Sequence, residues 1–126
     1  MDVIEPAPHL SDEARALLSE PLPPLELDFT DPDAVIAARA EINAEWESIS
    51  AQLPGGWVSR DDSIAGVDVV WFGADESSLD AEDVVVHIHG GAYVFGSAQS
   101  SGVIAVPIAL RLGRPVVSID YRLAPE

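Results

Sequence analysis

The residues of this chain best equipped for chemistry crowd into one short stretch, His87-Ile88-His89-Gly90-Gly91, at the end of the run "DVVVHIH". Residues two apart on a β-strand share a face, so the two imidazoles would project the same way. A His-x-His pair can ligate zinc or iron, but nothing beside it completes the ligand set of a metallo-hydrolase, and no metal is expected. Histidines satisfied by hydrogen bonds are the other reading, preferred for His87 because buried polar groups are generally paired. The glycines offer different chemistry. Gly90 and Gly91 let the backbone approach a ligand closely and turn its N–H groups into a cleft. Such donors suit a phosphate or the oxyanion of an acyl-transfer intermediate.

Spacing separates those two. A dinucleotide loop needs Gly-x-Gly-x-x-Gly and a P-loop ends in Gly-Lys-Ser/Thr. Neither occurs, and all 6 basic residues are arginine, which excludes a Walker A loop. Ser97, Ser100 and Ser101 lie close by and invite assignment as a nucleophile. None stands in an elbow sequence, so helix capping accounts for them better, with Ser97 or Ser100 serving the helix start. Asp120, at a strand end, could pass for a catalytic acid by fold analogy alone, which is a weak warrant.

These residues need a scaffold that brings a strand end and a loop to one rim. "DVVVHIH" is a near-continuous apolar run, the pattern of a strand buried on both faces of a parallel sheet. Ser100–Leu112 predicts a helix closed by Gly113, with Pro107 expected to kink it or shift its start. "RPVVSIDY" predicts a second buried strand, so strand, glycine loop, helix and strand form a right-handed βαβ unit. Upstream, "WVSRD" and "GVDVVWF" predict an antiparallel pair turning around Ser63–Gly66, followed by a polar loop, "GADESSLDAED". Ligands of open α/β sheets bind beyond the carboxyl ends of the strands, which is where the glycines fall.

Residues 1–54 read as helical. Ser11 is a candidate N-cap with Asp12 and Glu13 in the first turn, and the prolines of "PLPPLELDFT" break that helix. Asp31-Pro32 then opens a longer amphipathic helix whose apolar stripe is Val35, Ala38, Ile42, Trp46, Ile49 and Leu53, ended by Pro54-Gly55-Gly56. The division expected is a helical cap-like segment over 1–54 and an α/β core over 55–126.

Composition narrows the partners. The 126 residues can enclose one modest core. Acids outnumber bases 22 to 6, a formal charge of −16, which argues against nucleic acid and against anionic membrane surfaces. The absence of lysine fits coding bias or a salt-adapted surface. Without cysteine there are no disulfides, thiolate nucleophiles or Cys-ligated zinc. "MDVIEPAPHL" lacks a secretory h-region, and the longest apolar run, Val103–Leu110, is far too short to span a bilayer. A soluble, cytoplasmic protein is expected.

"HGGAYVFGS", His89–Ser97, followed after a helix and strand by "DYRLAPE", Asp120–Glu126, resembles the hormone-sensitive-lipase-like family of α/β-hydrolases (bacterial family IV esterases and lipases, α/β-hydrolase fold-3), whose oxyanion loop carries an HGGG-type motif. The resemblance covers roughly Val84–Glu126. It implies the amino-terminal part of an α/β-hydrolase fold, an antiparallel strand pair leading into the βαβ unit, preceded by cap helices. It implies that Gly90 and Gly91 donate the N–H groups of the oxyanion hole and that His89 orients the loop by side-chain hydrogen bonds. Ala92 stands where a third glycine is commonest, with only a local change of pocket shape expected. Asp120, Tyr121 and Arg122 would hold the turn beyond the fourth strand, with Pro125-Glu126 leading towards the nucleophile region. The substrate implied is a small-molecule ester, and no cofactor is implied.

The family's nucleophile sits on a Gly-x-Ser-x-Gly elbow, and no such pentapeptide occurs in this chain. The expectation is therefore an amino-terminal fragment of a carboxylic-ester hydrolase, inactive alone, without the nucleophile, acid and histidine of the triad. The elbow strand of the family pairs beside "VVVHIH", so an isolated chain would present an apolar edge and dissolve poorly. A relative that has lost its triad and serves as a small-molecule binding protein is the alternative.

Overall fold

The computed structural model describes residues 7–19 and 27–126. Helix α1 (Asp12–Ser19) opens with the Ala14 N–H donating to Ser11 Oγ at 3.2 Å. The break expected over Pro21–Glu26 lies outside the described residues. Helix α2 (Pro32–Ala51) starts where Asp31 and Pro32 predict. The Asp31 carboxylate accepts from the N–H groups of Asp33 and Ala34 at 3.0 and 3.3 Å, filling donors that a helix start otherwise leaves empty.

Strands β1 (Val58–Ile64) and β2 (Val67–Gly73) form an antiparallel hairpin with Ile64 opposite Val67. The two-residue turn, Ala65-Gly66, has φ of +53° and +81°, the left-handed pair that matches strand twist in tight hairpins. β1 runs on through Asp62, Ser63 and Ile64, beyond "WVSRD", because an outer strand tolerates charge facing water. The polar loop that follows holds a 3₁₀ turn, Glu76–Asp80. Its Leu79 is buried, and the Asp75 carboxylate accepts the Ser78 N–H at 2.8 Å.

Strand β3 (Val85–Ile88), helix α3 (Gly102–Leu112) and strand β4 (Val116–Ile119) make the expected crossover, with β3 and β4 parallel. The sheet order is β1-β2-β4-β3, and β2 pairs antiparallel with β4. One face carries Val70, Phe72 and Val116, packed with Ala98 and with Ala105, Val106 and Ala109 of α3. α3 runs unbroken through Pro107 and starts at Gly102 rather than Ser100. Pro107 faces outward, where water can reach the Val103 carbonyl whose donor the proline removes. Gly113, at φ +62°, closes the helix with its N–H on the Ala109 carbonyl at 2.9 Å.

α2 lies against α3 mostly along the expected stripe, with Val35 buried and Ala38, Ile42, Trp46 and Leu53 half-buried, but Ile49 falls outside it. Ser50 is buried, whereas Ile49 is 47% exposed. A Cβ at Gly102 would come within 2.9 Å of Ser50 Oγ and 3.3 Å of Phe72 Cε1. The helices thus touch through two small residues, and Ser50 turns its hydroxyl back to the Trp46 carbonyl at 2.8 Å. That close approach fixes the rotation and leaves Ile49 outside.

β3 also departs from expectation. It is the apolar outer strand expected of the isolated chain, but it is not buried on both faces: Val86 and Ile88, on the face away from α3, are 56% and 68% exposed. Its apolar run reports what the strand can bury, and among the described residues nothing covers that face. Ile64, Val67, Val69, Val86, Val117 and Ile119 line an open apolar groove of about 300 Å³ there. No helix among the described residues is long and apolar enough to cross a membrane.

Candidate functional site

The register pairs His87 with Ser118 and Ile88 with Ile119, so β3 and β4 end side by side. His89-Gly90-Gly91 and Asp120-Tyr121 consequently leave the sheet at one carboxyl rim. His87 sits inside the sheet and shares a hydrogen bond with Ser118 Oγ at 3.2 Å. Burial, and then the neighbouring His89, holds its pKa below the ordinary histidine value. The two imidazoles therefore have separate partners, and among the described residues no three metal-ligating side chains converge.

His89 is buried. Its Nδ1 lies 2.8 Å from the Gly90 carbonyl, which can only accept, so Nδ1 carries a proton. Nε2 is buried without a partner among the described residues. The ring stacks on Tyr121 at 4.3 Å between centroids and 21° between planes. The Tyr121 hydroxyl, its pKa raised by burial and by Tyr93, donates to the His89 carbonyl at 2.6 Å.

These two bonds aim the backbone. In a trans peptide the carbonyl of one residue and the N–H of the next point in opposite directions. Tyr121 holds the His89 carbonyl and so turns the Gly90 N–H the other way. His89 Nδ1–H holds the Gly90 carbonyl and turns the Gly91 N–H likewise. Neither N–H has an acceptor among the described residues. Two uncommitted donors held from behind are the arrangement that stabilises a developing negative charge.

The loop explains its glycines unequally. Gly91, at φ +124°, accepts from the N–H groups of Val94 and Phe95 at 3.0 and 2.9 Å, and a Cβ there would lie 2.1 Å from the Phe95 carbonyl oxygen. Gly90 has nothing within 4 Å of a would-be Cβ, so no packing requires glycine there. Gly96, at φ +92°, would put a Cβ 2.4 Å from His89 Nδ1, making it the residue that leaves room for the brace. The sequence reasoning assigned Gly96 no role, although a second glycine just before a helix start signals a backbone constraint. Ala92 is more than a change of pocket shape. It and Tyr93 both take left-handed φ, +54° and +62°, a conformation costly for any residue with a Cβ.

The Asp120 carboxylate accepts the Ala98 N–H at 3.0 Å, and its own N–H reaches the Asp68 carbonyl at 2.9 Å. Ser97 and Ser100 cap one another, each backbone N–H on the other's hydroxyl at 2.9 Å. Arg122 is exposed, Leu123 is buried, and the Ala124–Pro125 peptide is cis. Arg39 of α2 escaped the sequence reasoning altogether. Its Nε donates to the Val94 carbonyl at 2.7 Å, its Nη1 to Glu126 Oε1 at 2.8 Å, and its Nη2 to the Ala124 carbonyl. The first of the causes that hold the Glu126 carboxyl below its ordinary pKa is that hydrogen bond from Arg39.

Residues 85–126 match the profile of a family described as alpha/beta hydrolase fold. Over 43 residues the chain is 49% identical to hormone-sensitive lipase of Bos taurus, a stretch that covers 34% of this chain and 6% of that protein. It is 42% identical over 43 residues to an arylesterase of Saccharolobus solfataricus, covering 34% of this chain and 14% of the relative. Residues 85–126 are those of a hormone-sensitive-lipase-like α/β-hydrolase. An esterase structure from Pyrobaculum calidifontis extends the likeness to 72% of this chain and 31% of that one, at 28% identity and a TM-score of 0.57. The sheet order and the crossover described above are thus those of part of a hydrolase fold. This chain spans about a third of the length of that esterase, and less of the curated relatives.

Proposed function

We propose that this chain supplies the oxyanion-binding wall of a carboxylic-ester hydrolase that acts on small-molecule esters. The observation that carries the reading is the pair of uncommitted N–H groups, Gly90 and Gly91, held by Tyr121 and His89 at the carboxyl end of β3. A serine activated by histidine and oriented by an acid attacks the ester carbonyl. The resulting negative charge rests on the Gly90 and Gly91 N–H groups and on the N–H after the nucleophile. These 126 residues contain no Gly-x-Ser-x-Gly, and in this reading the three triad groups are supplied from outside them. Residues 1–54 form part of a cap over the site and 55–126 part of the core.

Gly90→Ala is the discriminating variant, because a Cβ there meets nothing within 4 Å. In the protein that joins this chain to a triad, the added methyl crowds the space in front of the donors. Both N–H groups remain, but the methyl keeps the ester carbonyl from reaching them, and turnover of p-nitrophenyl butyrate falls about 10²-fold, the scale set by a small misplacement of reacting groups, while Tm holds. Unchanged kcat in Gly90→Ala overturns the assignment. A Gly91 variant is less informative, since its Cβ would collide with the Phe95 carbonyl and deform the loop itself.

A further inference from the structure

The turn after Gly91 stores strain that something outside it must hold. Ala92 and Tyr93 are successive left-handed residues with side chains, and such conformations persist only where surrounding structure over-determines them. The restraint comes from α2. The Arg39 guanidinium, with its side chain 15% exposed, bonds the Val94 carbonyl, the Ala124 carbonyl and the Glu126 carboxylate together. The Ala124 N–H closes the ring by donating to the Tyr93 carbonyl at 2.8 Å. Phe29, just before α2, adds an edge contact to Phe95 at 6.3 Å.

We propose that Arg39 is a positioning residue for the oxyanion loop, latching α2 onto the glycine turn and the 120–126 segment at once. Its value at Gly90 and Gly91 rests on the ester-hydrolase reading; the latch does not. Two of its three acceptors are neutral carbonyls in different segments, so the rigid fork matters more than the charge. Lysine, a point charge with no planar fork, cannot engage all three in that geometry. α2 thereby becomes a part of the site's geometry without touching substrate.

The test compares Arg39→Met and Arg39→Lys with wild type in the full protein by amide hydrogen exchange and ester turnover. In Arg39→Met the Val94, Phe95 and Ala124 amides exchange at least about ten-fold faster, as local opening requires, with β2 and β4 amides unchanged. Arg39→Lys recovers only part of that protection. Turnover falls about 10²-fold, the scale set by a small misplacement of catalytic groups, with KM unmoved. Added guanidinium restores part of kcat in Arg39→Ala. Loop amides that exchange as in wild type overturn the latch, and if Arg39→Met unfolds throughout, Arg39→Lys decides by the same criterion. Faster loop exchange with undiminished kcat overturns the positioning role. Faster loop exchange in a protein that hydrolyses no ester even as wild type upholds the latch and removes the ester-hydrolase reading instead.

Discussion

Gly90 and Ala92 stand two residues apart under opposite demands. Gly90 occupies a conformation that a side chain could share, so its lack of one serves the space in front of it. Ala92 holds a conformation that glycine would take without strain. Ala92→Gly should therefore stabilise the chain. It relieves about 1–2 kcal/mol of left-handed strain and loses part of that to a freer unfolded chain, leaving a net gain of about 0.5–1 kcal/mol. A urea midpoint that rises at constant slope is the expected result, and a lower midpoint would contradict the strain. At this scale most of the candidate site was legible, because His89, Gly90, Gly91, Asp120 and Tyr121 lie inside two compact motifs, whereas Arg122, named with them, is exposed and makes no bond in the turn among the described residues. Arg39 was not legible. Its partners lie 55 to 87 residues away, and two of the three are main-chain carbonyls, which leave no trace in residue types.

At the scale of elements, the period of α2 gave its length, its start and every residue of its buried stripe except Ile49. An apolar stripe states which side of a helix can be buried, whereas the partner's shape selects the line of contact. Here the partner offers Gly102, and Ser50 rather than Ile49 fits over it. Gly102→Ala drives a methyl into Ser50 and Phe72 and should cost about 1–3 kcal/mol, the range for overpacking a close contact. Adding Ser50→Ala removes the hydroxyl that would lie 2.9 Å from the new methyl and should recover part of the loss. Thermal melts of the two singles and the double variant would show this non-additivity. Simple additivity would mean that the two helices do not meet there. The hairpin was legible for the opposite reason: Ala65-Gly66 settles it locally, with no partner to consult.

At the scale of the whole molecule, the sheet is covered on one face and, among the described residues, bare on the other. α3 covers the face that carries Phe72 and Val116, while the opposite face keeps an apolar groove ending at the outer strand β3. A row of unpaired backbone groups beside Val86 and Ile88 is a template for association between copies, which a formal charge of −16 opposes only at longer range. Ile88→Lys puts a charge on that edge and should lower light scattering at high protein concentration. The free energy of unfolding should stay within about 0.5 kcal/mol of wild type, since Ile88 is largely exposed. Scattering that is unaffected would locate self-association elsewhere. The three-way contact of Arg39 also sets an order of events during synthesis. The residue leaves the ribosome early, yet its acceptors arrive only with Val94, Ala124 and Glu126. Closing chain segments of that length costs entropy before any contact offsets it. The hairpin β1–β2 can form within a few residues of its own synthesis, whereas the glycine turn gains its latch only once Ala124 and Glu126 have been made.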